Sequence, residues 1–166
     1  MTKTPSYTDL LYLYEQKHEA LLEKFSKSKN PEQIYEKIIE LGRALPPISK
    51  DLKTKENLVA GCQSEVFLHT EIAIDGKIFY HIGSEALISS GLAALLLLIY
   101  QGEPAELILL YPPLFISDLG LAKSLSPGRS NGLASIYARM KQETTRLYIQ
   151  KNNQTSDVVG GVVGGI

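Results

Sequence analysis

The sequence predicts an α+β fold, in which a small antiparallel sheet of about three strands packs against helices. Residues 65–82 alternate apolar and polar side chains around the turn signal Asp75-Gly76, which is typical of two strands joined by a hairpin. The almost continuous apolar run at residues 92–100 predicts a buried helix. These strands are too few for a doubly wound parallel sheet, and a length of 166 residues suits one domain.

Two helices are predicted before the sheet. Apolar residues recur at roughly helical spacing over residues 8–25, which favours a first helix. A second helix is expected to begin at Asn30, whose side chain can cap it, with Pro31 in its first turn. Gly42 and then Pro46-Pro47 end this helix, because proline cannot continue the helical hydrogen bonds.

The hairpin sets the expected relation between two histidines. Asp75-Gly76 tolerates the positive φ angles of a two-residue type I′ turn. Such a turn places Thr70 opposite His81, so His69 and His81 are not expected to face each other directly. We interpret both histidines as solvated strand residues.

The second half of the chain is predicted to be mainly helical. Ser84 is expected to cap a helix that runs to about Tyr100, with Glu85 in its first turn. Gly91 inside this helix indicates close packing against another backbone. A short helix is expected over residues 102–109, and Ser126-Pro127 opens the last helix.

Composition excludes several classes of protein. With 44% hydrophobic and 21% charged residues, the chain can bury a sizeable core, and a net charge of −1 argues against a general nucleic-acid binder. The apolar run at residues 92–100 is too short to cross a membrane. A single cysteine and the lack of an apolar signal core predict a cytoplasmic protein. The Gly/Val-rich residues 151–166 predict a disordered tail.

Cys62 is the only cysteine, so it can form neither an intramolecular disulfide nor a cysteine-based metal or iron–sulfur site alone. It is therefore either inert filler or a reactive nucleophile, and composition alone favours filler. Gly61 permits a tight exposed turn, and Gln63 and Ser64 are polar, which favours projection of the thiol. Reactivity needs a nearby cation or helix start, for which Arg129 and the segment at Ser84 are candidates.

Five stretches of the sequence together resemble the SufE family, the sulfur acceptors of iron–sulfur cluster assembly. Gly61-Cys62-Gln63-Ser64 lies between a Leu-Gly…Leu-Pro-Pro helix end and a Ser-Pro…Arg…Asn-Gly-Leu helix start, in the family's order from about residue 31 to residue 141. The stretches are residues 35–47, 57–66, 83–92, 119–127 and 129–133.

This resemblance implies a SufE/NifU-like two-layer sulfur-acceptor domain over residues 31–150, preceded by an N-terminal helical extension at residues 1–30. It implies that Cys62 takes persulfide sulfur from a pyridoxal phosphate (PLP)-dependent cysteine desulfurase and relays it to an iron–sulfur scaffold protein. The cofactor belongs to the desulfurase, so this chain is expected to need no cofactor and no metal. It is then an accessory to an enzyme rather than a stand-alone one, either a monomer or a homodimer.

The resemblance gives further residues weaker roles in partner binding or thiolate support. Glu85 matches an acidic position at a partner-facing helix start, and Arg129 matches an arginine near the cysteine loop. A plain salt bridge is an equal alternative for Arg129. The chain departs from the family pattern at Phe67, where tryptophan is frequent, and at Ser90, where a basic residue is common. Gly61, Gln63 and Ser64 complete the set of candidates.

Two other functions stay open. The chain could regulate a desulfurase by binding alone, in which case Cys62→Ser should retain stimulation of the enzyme. Less favoured is a cysteine hydrolase that uses Cys62 with His69 as its base.

Overall fold

The computed structural model describes residues 4–160, with side chains through residue 156. A three-stranded antiparallel sheet in the order β1-β2-β3 packs against helices, which confirms the predicted α+β fold. In chain order the elements are α1 Tyr7–Lys24, α2 Pro31–Ala44, a 3₁₀ turn Lys50–Leu52, β1 Val66–Ile72, β2 Lys77–Ser84, α3 Leu87–Tyr100, β3 Glu103–Pro104, α4 Ala105–Leu110, α5 Phe115–Asp118, α6 Leu121–Ser124 and α7 Pro127–Gly160.

Both predicted N-terminal helices are present, and a side chain caps each of them. At the start of α1, Ser6 Oγ accepts a hydrogen bond from Asp9 N, and the Asp9 carboxylate accepts one from Ser6 N. At the start of α2, Asn30 Oδ1 accepts a hydrogen bond from Gln33 N at 2.9 Å, which confirms the predicted cap. Helix α1 belongs to the common core through its buried residues Leu10, Tyr14 and Leu21.

The hairpin turn contains three residues rather than two. Ala73 N donates to Lys77 O at 2.8 Å, and Gly76 N donates to Ala73 O at 3.0 Å. Only Gly76, with φ of 86°, adopts a positive φ in this turn, so the predicted type I′ turn, which needs two such residues, is wrong. The extra residue shifts the strand register by one position.

This register brings the two strand histidines together. His69 pairs directly with His81, whereas a two-residue turn would have put Thr70 there. Their ring centroids are 5.9 Å apart, so the prediction that they do not face each other is wrong. Both rings lie on the face of the hairpin opposite the buried Leu68 and Tyr80.

The segment between β2 and α3 also differs from the prediction. Ser84 ends β2 rather than capping a helix, because its hydroxyl donates to Glu65 O at 2.6 Å. Helix α3 begins at Leu87, so Glu85 lies before it and not in its first turn. Residues 103–104, which were expected to be helical, form β3 against β2.

Helices α2 and α3 cross at two glycines, as Gly91 predicted. A Cβ added to Gly91 would lie 2.1 Å from Ile38 O, and one added to Gly42 would lie 2.3 Å from Leu87 O. Neither distance is possible for real atoms, so only glycine permits this crossing. The crossing fixes α3 and with it one wall of the candidate site.

Helix α7 begins at Pro127, as predicted, and packs along the sheet. The Tyr80 and Thr144 hydroxyls form a buried hydrogen bond of 2.6 Å, and Lys151 Nζ donates to Ala73 O at 2.8 Å. Helix α7 continues beyond this contact with the hairpin to Gly160, so residues 151–160 are helical rather than disordered. Residues 161–166 of the predicted tail lie outside the described residues. Within residues 4–160, no helix is long and apolar enough to cross a membrane.

Candidate functional site

Cys62 lies in a short loop whose two stems are held together. Val59 N donates to Val66 O, and Leu68 N donates to Asn57 O, each at 2.8 Å. We call residues 60–65 the cysteine loop, and residues 57–59 together with 66–68 its stem. Because the stem continues the hydrogen-bond pattern of the sheet, the position of the cysteine loop follows that of β1.

Gly61 provides the sharp bend before the thiol. Its φ of 87° lies in the left-handed region, which residues with a Cβ rarely adopt. A Cβ at this position would also lie 2.5 Å from Ser135 Oγ on α7. The glycine therefore allows both the bend and the close approach of the loop to α7.

The loop rests on a row of small residues along one side of α7. Gln63 lies over Gly128, where an added Cβ would be 2.2 Å from Gln63 Nε2. Cys62 Sγ lies over Gly132, 3.9 Å from where a Cβ would be, and Gly61 lies against Ser135. We call this row, Gly128, Gly132 and Ser135, the small-residue groove.

The Cys62 thiol is half-buried in this arrangement and donates a weak hydrogen bond to Gly132 O at 3.7 Å. Burial raises the pKa of the Cys62 thiol above its ordinary value. The protonated form therefore dominates at neutral pH, and the docked thiol is a poor nucleophile.

Beneath the thiol is a cavity of about 10 Å³, which is close to the space one water molecule needs. Arg129 reaches its wall from the first turn of α7, and its Nη1 donates to Ser89 Oγ at 3.5 Å. Within residues 4–156, no carboxylate forms a salt bridge with Arg129. The wall comprises Cys62, Gln63, Ser89, Leu92, Gly128, Arg129, Gly132 and Ile136.

Three of the predicted site residues therefore meet around one cavity, namely Cys62, Gln63 and Arg129. Gly61 shapes the bend beside it, whereas Ser64 is half-buried outside its wall. Glu85 is also outside: its side chain is 93% exposed, and its Oε1 lies 3.6 Å from Lys53 Nζ.

Glu85 borders a second, larger depression next to the loop stem. This depression holds about 510 Å³ between the end of α2 and the segment before α3. Arg43 and Lys53 bring positive charge to its wall, and Glu65 and Glu85 bring negative charge. Such a mixed surface beside the cysteine loop is compatible with docking of another protein.

The small-residue groove and Ser89 were not predicted from the sequence. A signal was present, because residues 128, 132 and 135 are small and share one face of a helix. That signal gains meaning only when the loop is known to lie against this face.

The alternative hydrolase pair is not assembled. His69 Nε2 lies 3.3 Å from Glu71 Oε1 on the solvent face of the hairpin, and His69 is absent from the wall of the Cys62 cavity. Across the part of the chain that the structure describes, no group of three or more acidic, histidine or cysteine side chains is arranged to hold a metal ion.

Comparison with known proteins places the chain in a family. The SufE family model, described as an Fe-S metabolism associated domain, matches residues 19–144. The chain is 33% identical over 153 residues to "SufE-like protein 1, chloroplastic/mitochondrial" of Arabidopsis thaliana; the match covers 91% of this chain and 41% of that relative.

Its fold is similar to the solution structure of a hypothetical protein from Thermus thermophilus. That comparison has a TM-score of 0.66 and 26% identity, and it covers 80% of this chain and 96% of the other. The family-model match and the 33% identical relative lead to one conclusion. This protein belongs to the SufE family of iron–sulfur metabolism proteins.

Proposed function

We propose that the protein accepts sulfur on Cys62 from a PLP-dependent cysteine desulfurase and passes it to an iron–sulfur scaffold protein. The observation that carries this proposal is the placement of Cys62. This chain belongs to the SufE family, and its single thiol follows the bend at Gly61 in a loop outside the regular strands of the sheet. A loop of this kind can carry a side chain to another protein more readily than a strand or helix can.

The chemistry is thiol–disulfide exchange with a persulfide as the electrophile. The Cys62 thiolate attacks the outer sulfur of a persulfide on the desulfurase, and a new sulfur–sulfur bond forms at Cys62. The bond within the donor persulfide breaks, and its electron pair stays on the desulfurase cysteine. The proton lost by Cys62 is taken up by that departing thiolate, so the transfer involves no net oxidation or reduction.

Docking on α7 has to be reversed before this attack. In the docked loop the thiol is half-buried and burial raises its pKa, so neither access nor the thiolate form is favoured. We therefore place the reactive state in a loop lifted from the small-residue groove. Arg129, which has only Ser89 as a hydrogen-bond partner of its guanidinium among residues 4–156, is our candidate for stabilising negative charge on sulfur at the site.

The exposed Glu85 and the depression of about 510 Å³ beside the stem support a desulfurase contact on that face. The carboxylate can pair there with a basic group of the partner. The cytoplasmic location and the monomeric or homodimeric state stay predictions.

Mass spectrometry of the intact protein tests the proposal. After incubation with cysteine and a cysteine desulfurase, the chain should gain about one sulfur atom, and Cys62→Ser should gain none. Reductant should remove the added mass. The wild-type mass could instead stay unchanged while wild type and Cys62→Ser stimulate the desulfurase to the same extent. The protein would then be a regulator and not a relay.

A further inference from the structure

We propose that Arg139 is a positioning residue that anchors the stem of the cysteine loop to α7, so that only the tip at residues 61–64 moves when Cys62 is released. This rests on the proposed function in one respect, namely that exposure of Cys62 is what the protein has to control.

Arg139 makes a forked contact with the backbone at the start of the stem, at Leu58 and at the preceding Glu56. Its Nη1 donates to Leu58 O at 3.3 Å, and its Nη2 donates to Glu56 O. These two carbonyls flank Asn57, whose own carbonyl accepts from Leu68 N. The planar guanidinium suits two acceptors at once, and hydrogen bonds from a charged donor are stronger than neutral ones.

Arg139 is itself held in position. Its Nε lies 3.4 Å from Glu143 Oε1 one helical turn further along α7, and both side chains are about one-fifth exposed, at 22% and 21%. Helix α7 is fixed by its packing against the sheet. The hydrogen bond between Tyr80 and Thr144 lies one to two turns beyond Arg139 and strengthens this contact. The anchor therefore joins the stem to a rigid element.

The tip of the loop is attached in a different way. Gln63 and Cys62 touch the small-residue groove mainly by packing, and the thiol contributes only a hydrogen bond of 3.7 Å. Two backbone hydrogen bonds hold the two sides of the stem together, and Arg139 binds the stem to α7. Moving the stem therefore breaks hydrogen bonds from a charged donor, whereas lifting the tip breaks mainly packing contacts. Gly61, already at a positive φ, supplies the bend between the two parts.

The test uses Arg139→Met, which keeps the aliphatic length and removes the fork. Cys62 is the only thiol, so iodoacetamide alkylation followed by intact mass reports its exposure directly. We expect alkylation to become about tenfold faster, as expected from loss of one or two charge-assisted hydrogen bonds. Hydrogen exchange at the Val59 and Leu68 amides should also accelerate. Lys141→Met, at an exposed cation on the same helix, should leave both unchanged.

Three further measurements separate positioning from a general loss of stability. Ile99→Val, in the core away from the loop, should lower the melting temperature of the protein and should not change the pH profile of alkylation. Arg139→Met should move that profile toward the profile of an unfolded cysteine. Arg139→Lys, which can reach one carbonyl, should restore part of the wild-type behaviour.

Unchanged alkylation and unchanged exchange at Val59 and Leu68 in Arg139→Met would overturn the proposal. So would an equal effect of Ile99→Val. These measurements need no desulfurase, so they stand apart from the sulfur-transfer test: absence of persulfide on Cys62 would refute the proposed function and leave the anchor to be judged on its own data.

Discussion

Replacing Gly128 with alanine tests whether the contact between Gln63 and α7 keeps Cys62 docked. The new Cβ would lie 2.2 Å from Gln63 Nε2, 2.3 Å from its Cδ and 2.9 Å from its Cγ. Ordinary contacts between such atoms are about 3.5 Å or longer, so the Gln63 amide must move by more than about 1 Å. The docked loop loses this packing, whereas the lifted loop loses nothing.

The size of the effect follows from this difference between the two states. Pushing a flexible, exposed side chain such as Gln63 off its rotamer costs about 0.5–1.5 kcal/mol, which corresponds to a roughly 2- to 13-fold larger population of lifted loop. Alanine also favours the helix over glycine, by up to about 1 kcal/mol, but α7 is helical in both loop states. That term therefore changes the overall stability and leaves the loop equilibrium unaffected.

The assay is the rate of Cys62 alkylation at fixed pH, measured beside thermal unfolding of the same samples. Gly128→Ala should react faster by the factor given above without melting at a lower temperature. Gly132→Ala is the matched control, because its Cβ would lie 3.9 Å from Cys62 Sγ, an ordinary contact. If Gly128→Ala reacts no faster than Gly132→Ala and wild type, the Gln63 contact does not hold the loop.

Other perturbations give equally specific results. Gly91→Ala should lower the free energy of unfolding in urea by at least about 3 kcal/mol, since its Cβ would lie 2.1 Å from Ile38 O; a loss below about 1 kcal/mol would contradict the close helix crossing. Burial raises the pKa of Tyr80 and Tyr100, so above about pH 10 the unfolded chain releases phenolic protons that the folded chain retains. The free energy of unfolding should then fall by about 1.4 kcal/mol per pH unit for each group, and Tyr100→Phe should show a shallower fall in urea titrations at pH 9 and pH 11. For Cys62, the alkylation rate of the folded protein should keep rising above the pH at which the urea-unfolded protein levels off, and equal midpoints would argue against a buried thiol.

The elements that the sequence predicted well depend on local signals. Asn30 and Pro31 start a helix through contacts within a few residues, and apolar alternation identifies the hairpin strands. The register was missed because Asp75-Gly76 fits both a two-residue turn, in which Asp75 also adopts a positive φ, and the observed three-residue turn, in which only Gly76 does. The start of α3 was missed because the Ser84 hydroxyl contacts Glu65, across the sheet, instead of its own helix.

The candidate site divides in the same way. Cys62 stands out as the only thiol, and Arg129 was identified through family resemblance. Arg139 could not be found from the sequence, because it binds the backbone carbonyls of Leu58 and Glu56, which precede it by 81 and 83 positions. Every residue type has such a carbonyl. Contacts of this kind therefore impose no requirement on the residue type at the acceptor positions.

The stem of the cysteine loop has a second consequence, for behaviour at high concentration. Strand β1 is the outermost strand of its sheet, and the bridge from Leu58 to Phe67 covers part of its free side. An uncovered outer strand offers unpaired amide and carbonyl groups to the next chain and promotes aggregation. A protein that frees its thiol by moving the tip alone keeps this covering in place. Such a protein can expose its reactive thiol repeatedly without exposing a strand edge that promotes aggregation.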